Sequence, residues 1–155
     1  MPISPKTKEK EQKRDLLQRH LGASKKTRAI IITDIADSMI DAFLQNGADI
    51  LDVTIVSRSS VPPDLQSGAD AYISDSTDQA TLCTLMREQI VPIVPSSLAD
   101  SMKLSEFNPM KFEGNAFLFD SLSVYTVFEK LVRYLENIRY PGDKRTLLQN
   151  LEKIK

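Results

Sequence analysis

The sequence predicts an α/β domain of Rossmann-like architecture, with three layers, a mainly parallel sheet of about five strands, and helices at its C-terminal end. Three observations carry this expectation. Residues 29–33 read Ala-Ile-Ile-Ile-Thr, a continuous and mostly β-branched run of the kind that forms a strand buried on both faces. Apolar positions at helical spacing then alternate with further short strand-like runs, the order that folds into right-handed βα crossovers. The length of 155 residues, with 41% hydrophobic and 26% charged, suits one domain with a substantial core.

Residues 1–8, with Pro2, Pro5 and several lysines, are expected to be flexible, and 9–155 to form the single domain. A short amphipathic helix over 9–21 places Leu16, Leu17, His20 and Leu21 on one face, and Gly22 suits its stop. After the first strand, Ile35, Met39, Ile40, Phe43 and Leu44 predict a helix over 35–46 that ends at Gly47. A second strand is expected at 52–56, followed by an interruption at Pro62-Pro63 and a short turn at 64–67. That stretch is too short for a crossover helix with its loops. A third strand is expected at 71–74, a helix at 79–88 and a fourth strand at 90–94. A short helix around 98–103 and a fifth strand at 116–119 follow. Ser123 then caps a helix whose stripe is Val124, Val127, Phe128, Leu131, Val132, Leu135 and Ile138. A last helix starts at Asp143 and aligns Leu147, Leu148, Leu151 and Ile154.

Composition excludes several function classes. The longest uninterrupted apolar run spans four residues, so no membrane span is expected, and no apolar segment follows the basic N-terminus as an export signal would require. Cys83 is the only cysteine and His20 the only histidine, which leaves no internal disulfide and no Cys/His zinc cluster. A cytoplasmic protein without a cofactor is the expectation. The net charge of −1 conceals an asymmetry. Residues 1–28 hold nine Lys/Arg against three Asp/Glu, a net +6, and residues 29–155 hold eleven against eighteen, a net −7. A nucleic-acid partner is not expected from the basic segment, because Glu9, Glu11 and Asp15 interrupt it and no aromatic is present to stack on a base. The segment reads instead as a solvated helix.

In open parallel sheets ligands bind beyond the carboxyl ends of the strands. Those ends here are Thr33-Asp34, Ser57-Arg58, Asp75-Ser76-Thr77-Asp78, Pro95-Ser96-Ser97 and Asp120-Ser121. They carry carboxylates and hydroxyls with one cation, Arg58. The candidate ligand-binding residues are therefore Asp34, Arg58, Asp75, Asp78, Ser96 and Ser97; no catalytic or metal-binding residue is assigned. No G-x-G-x-x-G and no P-loop occurs, so an ordinary dinucleotide or nucleoside triphosphate site is not expected. Asp34 and Asp75 invite a receiver-like phosphoryl acceptor, but Asp34 is followed by Ile35 and the fifth strand leads into Asp120-Ser121 instead of a lysine that would neutralise phosphoryl charge. The plainer reading of these aspartates is helix capping. No G-x-S-x-G elbow points to a hydrolase, and Cys83 lies within an apolar helical pattern as a structural thiol would.

The run Gly68-Ala69-Asp70-Ala71-Tyr72-Ile73, then Met86-Arg87-Glu88-Gln89-Ile90-Val91-Pro92-Ile93-Val94, then Leu98-Ala99-Asp100, resembles the C-terminal domain of glycogen and starch synthases. Gly114-Asn115-Ala116-Phe117-Leu118-Phe119 and the long helix after it are similar to the ending of that domain. The resemblance covers most of the chain from about residue 10 and implies a GT-B glycosyltransferase fold, with one βα unit missing between the second and third strands. It also implies what has been lost. Where the family has Gly-Arg and Lys-Gly contacting the donor diphosphate, this chain has Thr33-Asp34 and no matching lysine. The family's acidic residue falls between Ser76 and Gln79, with Asp78 its nearest substitute, and its Thr-Gly-Gly turn is Pro95-Ser96-Ser97 here.

The first reading is accordingly a degenerate, non-catalytic glycosyltransferase-related domain acting as an interaction or regulatory module, with a protein partner or a second copy of itself. The alternatives are a subunit of a split nucleotide-sugar glycosyltransferase, binding its donor near Asp78, Ser96 and Ser97 and transferring a hexose only with a partner domain, and a receiver-like signalling domain. The chain leaves no room for the acceptor domain of a GT-B enzyme.

Overall fold

The computed structural model describes residues 5–75 and 78–153. Its sheet has five parallel strands in the order β2-β1-β3-β4-β5, namely β1 (Ile30–Asp34), β2 (Thr54–Ser57), β3 (Ala71–Ser74), β4 (Val91–Pro95) and β5 (Phe117–Phe119). The expected Rossmann-like α/β fold is borne out. Ile30, Ile31 and Ile32 are completely buried, as their unbroken β-branched run requires of a strand covered on both sides. The helices are α1 (Pro5–Leu21), α2 (Ser38–Leu51), α3 (Gln79–Arg87), α4 (Ala99–Met102), α5 (Val124–Ile138) and α6 (Pro141–Glu152).

Several boundaries differ from the expectation, each for a local reason. Helix α1 starts at Pro5 and α6 at Pro141, where proline's fixed φ and missing N–H suit the first helical turn. Residues 1–4 of the segment expected to be flexible lie outside the described residues. Helix α2 does not stop at Gly47. That glycine lets α2 lie against α5, because a Cβ there would press on the Phe128 ring at 3.2 Å. The stop comes at Asp52, in the left-handed region at φ 57°, whose N–H bonds the Ala48 and Asp49 carbonyls. Aspartate is one of the few residues that visits this conformation without glycine's freedom.

The 57–70 connection carries two short 3-10 turns, Arg58–Ser60 and Pro63–Gly68, in place of a crossover helix. Helix α1 docks on the second turn and supplies the helix the connection lacks. The approach is close. A Cβ on Gly68 would fall inside contact distance of the Lys13 carbonyl, so only glycine fits. The face of α1 turned inward is Lys10, Arg14, Leu17 and Leu21, with Leu17 fully buried. This corrects the expected stripe, since Leu16 is 47% exposed and His20 also faces outward. Two cations turn inward because the chain beneath offers acceptors. The Lys10 ammonium donates to the Ser67 carbonyl at 2.7 Å and to that of Ala69, and Arg14 Nε donates to Asp70 at 3.1 Å. Part of the basic N-terminal charge is thus spent inside the fold.

Candidate functional site

The strand order reverses direction between β1 and β3, and such a switch point opens a crevice beyond the carboxyl ends of those strands. Asp34 ends β1 there. Its Oδ2 accepts from Arg58 Nε at 2.5 Å and from the Tyr72 hydroxyl at 2.7 Å. The pairing raises the Arg58 pKa above its ordinary value, chiefly through the hydrogen bond that Arg58 donates to Asp34's carboxylate. Burial, with Asp34 alongside, pushes the Tyr72 hydroxyl up to about 12, so it acts as a donor throughout the physiological range. The one cation at the described strand ends is therefore committed to a neighbouring carboxylate.

Asp75 follows β3 and reaches back across the switch point. Its Oδ2 accepts from the N–H groups of Ala36 at 2.9 Å and Asp37 at 3.3 Å, while Ser74 Oγ and the Asp75 N–H both donate to the Asp34 carbonyl. Exposed N–H groups in such a loop are what an incoming phosphate would use. Here a side-chain carboxylate already holds them. Asp75 Oδ1 is buried without a hydrogen-bond partner among the described residues, a further acceptor with nothing to offer an anion. The start of α2 is closed in the same way, with Asp37 Oδ1 accepting from Met39 N–H at 2.9 Å and Ile40 N–H at 3.1 Å.

The other expected residues share no hydrogen bond with this cluster among the described residues, although the charge of Arg58 is felt at Asp78. Asp78 is the N-cap of α3, accepting from Ala80 N–H at 3.1 Å and the Thr81 hydroxyl at 2.8 Å, and these bonds, Thr81's first, hold its carboxyl below the ordinary range. Ser96 and Ser97 follow β4, with Ser96 Oγ donating to Asp120 at 2.7 Å. Ser76 and Thr77 lie outside the described residues. The start of α5 is closed by a capping box between Ser123 and Thr126, as Ser123 led one to expect of an N-cap. The structure thus joins Asp34, Arg58 and Asp75 at one crevice and leaves Asp78, Ser96 and Ser97 outside its hydrogen bonds among the described residues.

Sequence reasoning missed Asp37 and Tyr72. Asp37 carries a readable signal, an aspartate directly before a helix, but Asp34 three residues earlier draws attention first. Tyr72 gives none, because only strand pairing brings its hydroxyl to Asp34. Among the described residues, no three His, Cys, Asp or Glu side chains are placed to hold a metal ion. No helix among them is long and apolar enough to cross a membrane.

No protein-family model matches the sequence. No curated protein matches it either. Among solved structures, the fold is similar to the catalytic domain of starch synthase IV from Arabidopsis thaliana bound to ADP and acarbose, with a TM-score of 0.66 and 14% sequence identity. The match covers 94% of this chain and 39% of that one, so this chain spans well under half the length of the structure it matches. At the level of fold, the expected likeness to a starch synthase catalytic domain is borne out.

Proposed function

We propose that this chain is a glycosyltransferase-related domain that has lost sugar transfer and works as an interaction or regulatory module. The observation that carries this reading is the closed switch point. Asp34 holds Arg58, Asp75 holds the N–H groups of Ala36 and Asp37, and Asp37 holds those of α2. The starch synthase IV structure contains ADP, a diphosphate that requires cations and free N–H donors wherever it binds. In this chain a carboxylate already pairs the charge of Arg58 through its Nε and others hold the loop N–H groups, and like charges brought together cost several kcal/mol, roughly.

The apolar surface beside this crevice supports an interaction role. Phe43 of α2 meets Phe128 of α5 edge to face, with ring centres 5.3 Å apart. Met39 lies one turn before Phe43 and Tyr125 one turn before Phe128, so the two occupy neighbouring positions at the helix starts. Met39 is 77% exposed and Tyr125 84%, and Leu122 is exposed just ahead of α5. Clustered exposed apolar side chains of this kind favour contact with another macromolecule.

Two-dimensional NMR of the chain during titration with ADP-glucose, and separately with UDP-glucose, tests the loss of donor binding. The expected outcome is no localised shift at the strand ends. Saturable shifts centred on Asp34, Ser96 and Ser97 would overturn the reading and favour the subunit of a split glycosyltransferase.

A further inference from the structure

At the opposite, amino end of the sheet, α1, α5 and α6 line a partly open cavity of about 170 Å³. For comparison, about 150 Å³ of apolar cavity is enough to admit a benzene ring. One side is apolar, formed by Val91 at the start of β4, Tyr134 and Ile138 of α5, and Leu147 and Leu148 of α6. Lys10 stands in the polar remainder of the lining, with Arg14, Lys144, Gln89 and the carboxylates Glu11 and Asp70. Its ammonium has three N–H donors and gives two of them to the carbonyls of Ser67 and Ala69. The third has no partner among the described residues. Asp70, the nearest candidate counter-ion, is already occupied by Arg14 at 3.1 Å and by the Ile30 N–H at 2.8 Å.

The electrostatics agree with an incomplete site. Burial lowers the Lys10 pKa from 10.5 to about 8, and the attraction of Asp70 and Glu88, opposed by Arg14 and Lys144, does not restore it. A charge held this way gains from any anion placed against it.

We propose that this cavity binds a small monocarboxylate with an apolar body of about ring size, its carboxylate on the free donor of Lys10 and its body against Val91, Leu147 and Leu148. The carboxylate supplies the acceptor and the negative charge that Lys10 lacks. The apolar wall supplies most of the shape selection, as pockets with one or two placed polar groups do.

The test uses the full chain, with lysine and leucine side chains labelled for NMR, titrated with benzoate and separately with benzamide. Benzoate is expected to move the Lys10 ε-carbon and the Leu147 and Leu148 methyls saturably, and to raise the Lys10 titration midpoint by about one pH unit or more. Benzamide, which has the same ring without the charge, is expected to bind about tenfold more weakly or worse. Leu148→Trp fills the cavity from its apolar side and is expected to abolish the benzoate response, while the added burial lowers the Lys10 midpoint of the free protein further. Lys10→Met is expected to weaken benzoate about tenfold while leaving benzamide unchanged. No saturation by about 50 mM benzoate, an equal response to benzamide, or a response that survives Leu148→Trp overturns the proposal.

Discussion

The two ends of the sheet solve opposite electrostatic problems. At the carboxyl end, acidic side chains fold back onto the donors that surround them, with Asp34 on Arg58 and Asp75 on the Ala36 and Asp37 N–H groups. At the amino end, basic side chains from α1 reach inward to carbonyls and to Asp70, and one ammonium donor is left over beside a cavity. A parallel sheet with these helices normally presents its open binding crevice at the carboxyl end. In this chain that end is closed by its own carboxylates. The contrast shows that a fold fixes where donors and acceptors can gather, while a few side chains decide which of them remain available.

The contrast breaks most severely at Gly68. Gly68→Val drives a side chain into the Lys13 backbone and undocks α1, with an expected loss of about 3 kcal/mol in urea unfolding, typical of overpacking at a close approach. The Lys10 and Arg14 contacts at the amino end should be lost together, while resonances of Asp34 and Tyr72 stay near their wild-type positions.

The next largest effect comes from pH. The unfolded chain keeps the Lys10 proton up to 10.5 while the native state releases it near 8, so the unfolded state binds more protons between those values. Stability therefore rises from pH 8 towards pH 10.5, by about 2–3 kcal/mol once the two carbonyl bonds that favour the ammonium are weighed against burial. Tyr72 acts in the opposite sense at the other end. Its native pKa of about 12 lies above the ordinary 10, so the stability it contributes is present below pH 10 and is lost as pH climbs towards 12. Urea midpoints from pH 7 to 12 should show a rise and then a fall, and Lys10→Met should remove the rise alone.

Much of this arrangement is legible in the sequence where the signal is local. The Ala-Ile-Ile-Ile-Thr run gives β1, Ser123 gives the cap of α5, and Asp78 caps α3 as the plainer reading of the aspartates expects. What escapes is pairing across the fold. The inward turn of Lys10 and Arg14 depends on acceptors more than fifty positions away, so helical periodicity assigns that face to Leu16 and His20 instead. Gly47 reads as a stop because nothing local announces Phe128, and Asp34 reads as an open carboxylate because Arg58 and Tyr72 reach it only through the sheet.

Smaller effects sharpen the contrast. Asp34→Ser should cost about 1–2 kcal/mol, since it breaks a partly exposed ion pair with Arg58 and takes the carboxylate acceptor from the Tyr72 hydroxyl, and it should release Arg58 towards the crevice. Met39→Ser with Tyr125→Ser should change stability by no more than about 0.5 kcal/mol, as expected of exposed positions. The same double substitution should reduce any concentration-dependent association seen by analytical ultracentrifugation, because it removes the apolar side chains at the carboxyl end.

The closure of that end is the central claim, and calorimetric titration of ADP-glucose into two proteins tests it most directly. The wild-type chain is predicted to bind none at millimolar ligand, whereas Asp34→Ser with Asp75→Ala, which frees Arg58 and the Ala36 and Asp37 N–H groups, is predicted to gain measurable affinity. Saturable binding by the wild-type chain that the double substitution weakens would contradict the account.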